Sequence, residues 1–311
     1  MTIALLLWYV GVKRERDRLM HKSENISTSI FMAFVGLCVF FSCSGAQAQD
    51  VVETATQVFR GRVKAADTNS ITIEMTVQGR PQEITIPRQM VRRMKVEPPP
   101  SVVEGIKAYE EGDWRKAKLN LERVILNYQG LDMEWAQKGM VYFGRASIFG
   151  GDDKNAEQAF SLFLSAYPDH GLVIEARLGL ANVERARKNH DAALEMFRSL
   201  SEPFGEQLRP ERQDLSYAAE AYLGIGKCLE AQGDLRAAYD AYVKIMALYP
   251  AEGFYPEALF RCAVISSELN ELDKAGRYLA ELIDEYPATE FARSGLQLRN
   301  SIERKKREER I

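Results

Sequence analysis

The spacing of apolar side chains divides the chain into a strand-like stretch and a longer helical one. Between residues 57 and 96 the period is two. Val58-Phe59-Arg60-Gly61-Arg62-Val63 leads into a polar Asp67-Thr68-Asn69-Ser70 turn, and Ile71-Thr72-Ile73-Glu74-Met75-Thr76-Val77 then alternates as a half-buried strand does. Gln78-Gly79-Arg80-Pro81 reverses the chain, Glu83-Ile84-Thr85-Ile86-Pro87 begins a third strand, and Arg93-Met94-Lys95-Val96 reads as a fourth. Four or five short strands in so few residues predict a small all-β module, near the lower size limit for independent folding. Pro98-Pro99-Pro100 closes it as a stiff linker over residues 98–101.

From residue 102 the period becomes helical, and five segments align on one alanine: Ala117, Ala156, Ala193, Ala238 and Ala275. Four residues after each stands a large apolar side chain, Leu121, Phe160, Phe197, Tyr242 or Leu279. Twelve residues before each stands a small one, Gly105, Gly144, Ala181, Gly226 or Ala263. Three of the five carry proline twelve residues after the alanine, at Pro168, Pro250 and Pro287. Such a pattern predicts pairs of helices in close contact. The small residue lets the second helix approach, the alanine sits at the crossing, and the large residue fills the gap toward the next pair. Gly112-Asp113, Gly151-Asp152 and Gly233-Asp234 supply the turns within pairs, with glycine ending one helix and aspartate capping the next. A repeating unit of this kind stacks into an elongated array and does not close on a single core.

These residues resemble the tetratricopeptide repeat (TPR), and the resemblance covers about 190 residues, roughly 102–291. It implies a mainly α chain: a TPR-like α-solenoid of about five helix-turn-helix repeats, preceded by a small module that looks SH3-like or Sm-like. The stride exceeds the usual one, with extra residues after Tyr167-Pro168 and Tyr249-Pro250. Longer strides with Tyr-Pro look like the repeats of bacterial envelope proteins, namely the Tol-Pal accessory protein and the outer-membrane-assembly lipoproteins. Phe291-Ala292-Arg293-Ser294-Gly295-Leu296 echoes Glu175-Ala176-Arg177-Leu178-Gly179-Leu180 and predicts a solvating last helix. The expected domains are 1–48, 49–97, the linker, the solenoid with its cap over 102–299, and a charged tail over 300–311.

The N-terminus carries a second kind of pattern. Residues 30–41 are uncharged and apolar, Lys22 precedes them, and Ala46-Gln47-Ala48 follows, which together match a secretory signal cleaved after Ala48. Twelve apolar residues are short for a membrane span. A start at Met20 would leave a signal of ordinary length. A lipid anchor on Cys43 is the alternative, although Phe40-Phe41-Ser42 lacks the small aliphatic residues such a site carries. The expected location is the periplasm.

Charge and chemistry narrow the function. The formal net charge is -3, which gives no reason to expect nucleic acid. The β stretch is the most basic region, with Arg60, Arg62, Arg80, Arg88, Arg92 and Arg93, yet Phe59 is its sole aromatic, so bases would have nothing to stack on. His170 and His190 have no nucleophile or carboxylate at a catalytic spacing, and no metal-ligand cluster is evident. No catalytic residue, metal or cofactor is assigned, and an enzyme is not expected. Cys228 and Cys262 read as buried free thiols, with a bond between neighbouring helices as the alternative. Trp114 and Trp135 read as packing residues.

If the repeats bind a partner, the resemblance places the site on the concave side built by first helices. By the repeat alignment that side carries Arg145, Asn182, Arg185, Lys227 and Phe260, with Glu220, Glu230 and Glu257 beside them. Such a surface suits an extended or helical peptide. The expected function is an exported scaffold or adaptor for another envelope protein, peripheral to the outer membrane. The alternative is an accessory in cell-wall or polysaccharide handling, with the β module on a glycan.

Overall fold

The computed structural model describes residues 49–205, 211–250 and 253–308. The signal reading, Met20, Cys43, residues 206–210 and 251–252 and the last three residues lie outside that range.

Five strands form one antiparallel sheet: β1 (Asp50–Thr54), β2 (Val58–Ala66), β3 (Ser70–Val77), β4 (Arg80–Pro87) and β5 (Val91–Lys95), in the order β4-β3-β2-β1-β5. β1 lies ahead of the alternation visible in the sequence and holds the sheet together, because it pairs with both β2 and β5. Its first residue contributes a buried carboxylate. Asp50 accepts from the backbone N–H of Val63 at 2.8 Å and of Glu97 at 3.0 Å, tying the strand to both neighbours. Gln78 and Gly79 turn β3 into β4 with positive φ at both residues, the two-residue hairpin geometry that matches strand twist. Inward side chains Val52, Val63, Ile71, Ile73 and Ile86 are buried.

That small core does not stand alone. It is continuous with the core of the first helices. Two hydrogen bonds fix the junction: Gly130 N–H donates to the Ala66 carbonyl at 3.1 Å, and Trp135 Nε1 donates to the Val96 carbonyl at 3.0 Å. The Asp67 carbonyl lies against Gly130 so closely that no Cβ would fit there. The module is thus buttressed where its size alone would leave it marginal.

The helices are α1 (Pro100–Glu110), α2 (Trp114–Asn127), α3 (Glu134–Phe149), α4 (Asp153–Ala166), α5 (Val173–Ala186), α6 (His190–Gly205), α7 (Arg212–Ala231), α8 (Leu235–Leu248), α9 (Tyr255–Glu268), α10 (Leu272–Glu285) and α11 (Glu290–Glu308). Ten of them pair as five helix-turn-helix units, and α11 caps the stack. α1 begins inside the proline run expected as a linker. Pro100 occupies the first helical turn, where a missing N–H breaks no bond. α11 likewise takes up residues 300–308 of the expected tail, with Ile302 buried and Lys306 paired to Asp273 at 2.6 Å.

The five intra-pair turns share one backbone. Gly112, Gly151 and Gly233 have φ of 80°, 70° and 82°, and in the third and fifth pairs Lys188 and Asn270 adopt the same left-handed conformation at 65° and 62°. After the three glycines, Asp113, Asp152 and Asp234 cap the second helix, each accepting from the backbone three residues on at 3.0–3.2 Å.

Packing between units depends on the large residue of each second helix. Phe160 is fully buried against Gly144 of its own pair and Gly179 of the next, and a Cβ at Gly144 would lie 2.6 Å from its ring. Phe197 meets Gly224 of the following pair in the same way, and Tyr242 meets Gly226 of its own. Val103 stands in register with Gly179 and Gly224 and is 51% exposed, since no pair precedes it. At the other end Leu279 and Leu282 are covered by Gly295 of α11.

Two stability changes follow. Phe160→Ala removes the wedge between the second and third pairs and should lower unfolding free energy by about 3–5 kcal/mol in urea titration. Lys188→Gly should raise it by about 0.5–1 kcal/mol, because relief of left-handed strain exceeds the extra chain entropy lost by glycine.

Candidate functional site

The first helices α3, α5, α7 and α9 place their polar side chains on one face, and these side chains meet across the repeats. Arg145 on α3 is shared by two carboxylates. Its Nε lies 2.7 Å from Glu175 at the start of α5, and its Nη2 lies 2.8 Å from Glu220 on α7. Arg145 therefore reaches from the second repeat to the fourth, and this face of the stack is narrow enough for one side chain to bridge. All three side chains are largely buried, with exposures of 18%, 16% and 12%. Burial alone would weaken the hold of Arg145 on its proton, and Glu220 and Glu175 more than reverse that. Burial raises the Glu175 carboxyl above the usual range even with Arg145 beside it, and repulsion from Glu220 adds to the effect.

Asn182 on α5 continues the network. Its amide nitrogen donates to Glu220 at 3.1 Å and to the Leu178 carbonyl at 3.0 Å, and its oxygen accepts from Arg185 Nη2 at 3.2 Å. Arg185 has no carboxylate within ion-pair distance among the described residues. Further along, Lys227 on α7 pairs with Glu257 on α9 at 2.8 Å, and Arg261 pairs with Glu230 at 3.2 Å. Burial pulls Lys227 below the ordinary lysine value in spite of that partner. Tyr242, the wedge of the fourth pair, donates its hydroxyl to Glu230 at 2.8 Å.

Of the residues that the repeat alignment singles out, Arg145, Asn182 and Arg185 thus fall in one connected group and Lys227 in a second. Phe260 lies apart, packed against Phe291 of the cap with ring centroids 6.1 Å apart. Glu175 and Arg261 complete the two groups and were not among the expected residues. Glu175 holds the same register as Glu220 and Glu257, eighteen residues before the repeat alanine, so the alignment could have found it, whereas Arg261 holds the register at which the third and fourth pairs have Gly179 and Gly224.

The remaining candidates are structural. Tyr167 donates its hydroxyl to the Gln129 and Leu131 carbonyls of the preceding loop, at 3.0 and 2.6 Å. Tyr249 reaches the Phe204 carbonyl at 3.3 Å. Tyr128 and Phe204 hold the equivalent register in the first and third pairs, so every second helix has an aromatic there. His170 Nδ1 accepts from the Leu172 N–H at 3.1 Å and its ring abuts Phe163. Cys228 and Cys262 are buried and unbonded to each other, and burial raises the Cys262 thiol to about 12. Trp114 stacks on Phe149, and Trp135 is engaged with Val96. Among the described residues no group of three or more His, Cys, Asp or Glu could hold a metal.

Comparison with known proteins agrees with this architecture. The tetratricopeptide repeat model matches residues 220–251 and 257–289. A tetratricopeptide repeat protein from Parabacteroides merdae ATCC 43184 has 17% sequence identity over 64% of this chain and 69% of its own, with a TM-score of 0.51. A thermophilic TPR protein from Thermus thermophilus has 15% identity over 65% of this chain and 95% of its own, with a TM-score of 0.47. No curated protein matches the sequence.

Removing the shared cation should be worse than removing the whole group. Arg145→Met leaves two carboxylates facing each other out of water and should cost about 3 kcal/mol in urea unfolding. Adding Glu175→Leu and Glu220→Leu to that variant should recover most of the loss, because apolar packing then replaces the network.

Proposed function

We propose that this chain, which carries tetratricopeptide repeats in a protein-binding solenoid, is an exported, non-enzymatic scaffold of the bacterial cell envelope. It would hold a segment of another envelope protein against its first-helix face, and it would work in the periplasm. The observation that supports this most directly is the state of Arg185. Lys138, Arg145, Lys227 and Arg261 of that face are already bound to carboxylates of the protein itself. Among the described residues Arg185 is held by Asn182, at 3.2 and 3.4 Å, and by no carboxylate. A carboxylate or backbone carbonyl of a docked segment can take up its remaining donors. Because neighbouring side chains are already locked, little ordering entropy is lost when the segment binds. Phe260 would give such a segment an apolar contact further along the same row of helices.

Photo-crosslinking in the envelope tests this. A benzophenone side chain in place of Arg185 or Phe260 should give discrete adducts with a partner, whereas one in place of Arg277 on α10 should not. Arg185→Glu should weaken capture of the crosslinked partner on the order of 30-fold. Equal adducts from all three positions, or unchanged capture by the Glu variant, would place the partner elsewhere.

A further inference from the structure

A second surface lies on the outside of the β-sheet, where several basic side chains gather. Strand register fixes which side chains share that outer side. Val51 of β1 is paired with Arg60 of β2 and with Lys95 of β5, and Glu53 of β1 is paired with Val58 and Arg93. Partners in a ladder point the same way, so Arg60, Lys95 and Arg93 lie together with Val51, Glu53 and Val58. Arg62, two residues beyond Arg60, faces the same side opposite Glu74 of β3. The inward residue between them, Val52, is fully buried, which confirms the assignment of faces.

All four basic side chains are on exposed residues. Glu74 is engaged by Lys64 at 3.1 Å, and Lys95 is paired with Glu97 at 3.1 Å. Arg60, Arg62 and Arg93 have no carboxylate within ion-pair distance among the described residues. Two of them, Arg60 and Arg62, follow one another on a single strand, about 7 Å apart along it. Glu53 and Glu74 share the face, yet neither reaches these three guanidinium groups, and a rigid sheet that keeps them side by side has its energetic complement outside the molecule.

We propose that the outer face of β2, β1 and β5 is a cationic docking surface for an anionic phospholipid bilayer. The face spreads its guanidinium groups over three neighbouring strands, so its complement is an extended surface of phosphates. Its side chains include no aromatic ring, so it lacks the stacking platform that single-stranded nucleic acid requires. Val58, 48% exposed at its margin, gives an apolar contact beside the guanidinium groups. No helix among the described residues is long and apolar enough to cross a membrane, so this contact would be peripheral and sensitive to salt. It stands independently of the partner proposed for the first-helix face.

The test is flotation of the full chain with mixed phosphatidylglycerol–phosphatidylcholine vesicles against pure phosphatidylcholine vesicles, at low and high salt. The preference for the anionic vesicles is the readout, so any apolar insertion common to both cancels. Arg60→Glu, Arg62→Glu and Arg93→Glu combined should reduce that preference about a hundredfold. The charge-matched reversal of Arg198, Arg236 and Arg277 on the helices should leave it within about threefold. Circular dichroism and thermal melting of both variants show whether each is folded. The proposal is overturned if the two vesicle types bind the chain equally, if the helix variant loses the preference as much as the sheet variant, or if the folded sheet variant keeps it. Loss of binding to a nucleic acid or an acidic protein in the sheet variant, without loss of vesicle preference, would assign the face to that partner instead.

Discussion

The middle of the solenoid depends on a ring from a second helix, Phe160, Phe197 or Tyr242, entering a place where a facing first helix has glycine. Phe160 lies between Gly144 and Gly179, and a methyl group at either glycine would overlap it. The contact sets how closely successive pairs approach, and close approach is what lets a repeat of two helices bury its apolar face at all. The same constraint explains both ends. Val103, with no preceding ring to receive, is exposed, while the last pair needs α11 to cover Leu279 and Leu282.

Close spacing of first helices has an electrostatic consequence on the face they share. Charges that would be solvated on separate helices come within reach of each other, so Arg145 of the second repeat meets Glu220 of the fourth. At the fourth pair, core and charge meet in one residue, because the wedge Tyr242 bonds to Glu230, which in turn holds Arg261. Largely buried networks of this kind contribute more to a fixed arrangement than to net stability, since desolvation offsets most of the attraction. What remains available for the proposed partner is therefore small, chiefly Arg185 and its asparagine. The sheet shares the apolar core of the first helices, while Arg60, Arg62 and Arg93 on its outer side have no carboxylate within ion-pair distance among the described residues.

The repeat register was readable from the residues because the wedge imposes it directly: only small side chains fit opposite Phe160, Phe197 or Tyr242. The Gly-Asp turns were equally legible for the same local reason. Lys188 and Asn270 adopt the same left-handed turn without the glycine that announces it, so the third and fifth turns could not be recognised by residue type. β1 escaped the alternation test because its buried end is a carboxylate, Asp50, whose partners Val63 and Glu97 lie far along the chain. The prolines at 98–100 look like a linker in sequence, yet a helix can begin on one of them.

Sequence alone determined which residues pack helix on helix, since that packing is local, repeated and intolerant of size. It also placed Arg145, Asn182, Arg185 and Lys227 on first helices, because the repeat fixes their register. Only the tertiary structure decided what those side chains do there. Whether a cation on a first helix is spent within the protein or left for a partner depends on the curvature of the stack and on carboxylates one or two repeats away. Those distances are set by the sum of many small wedge contacts, and no single residue records that sum.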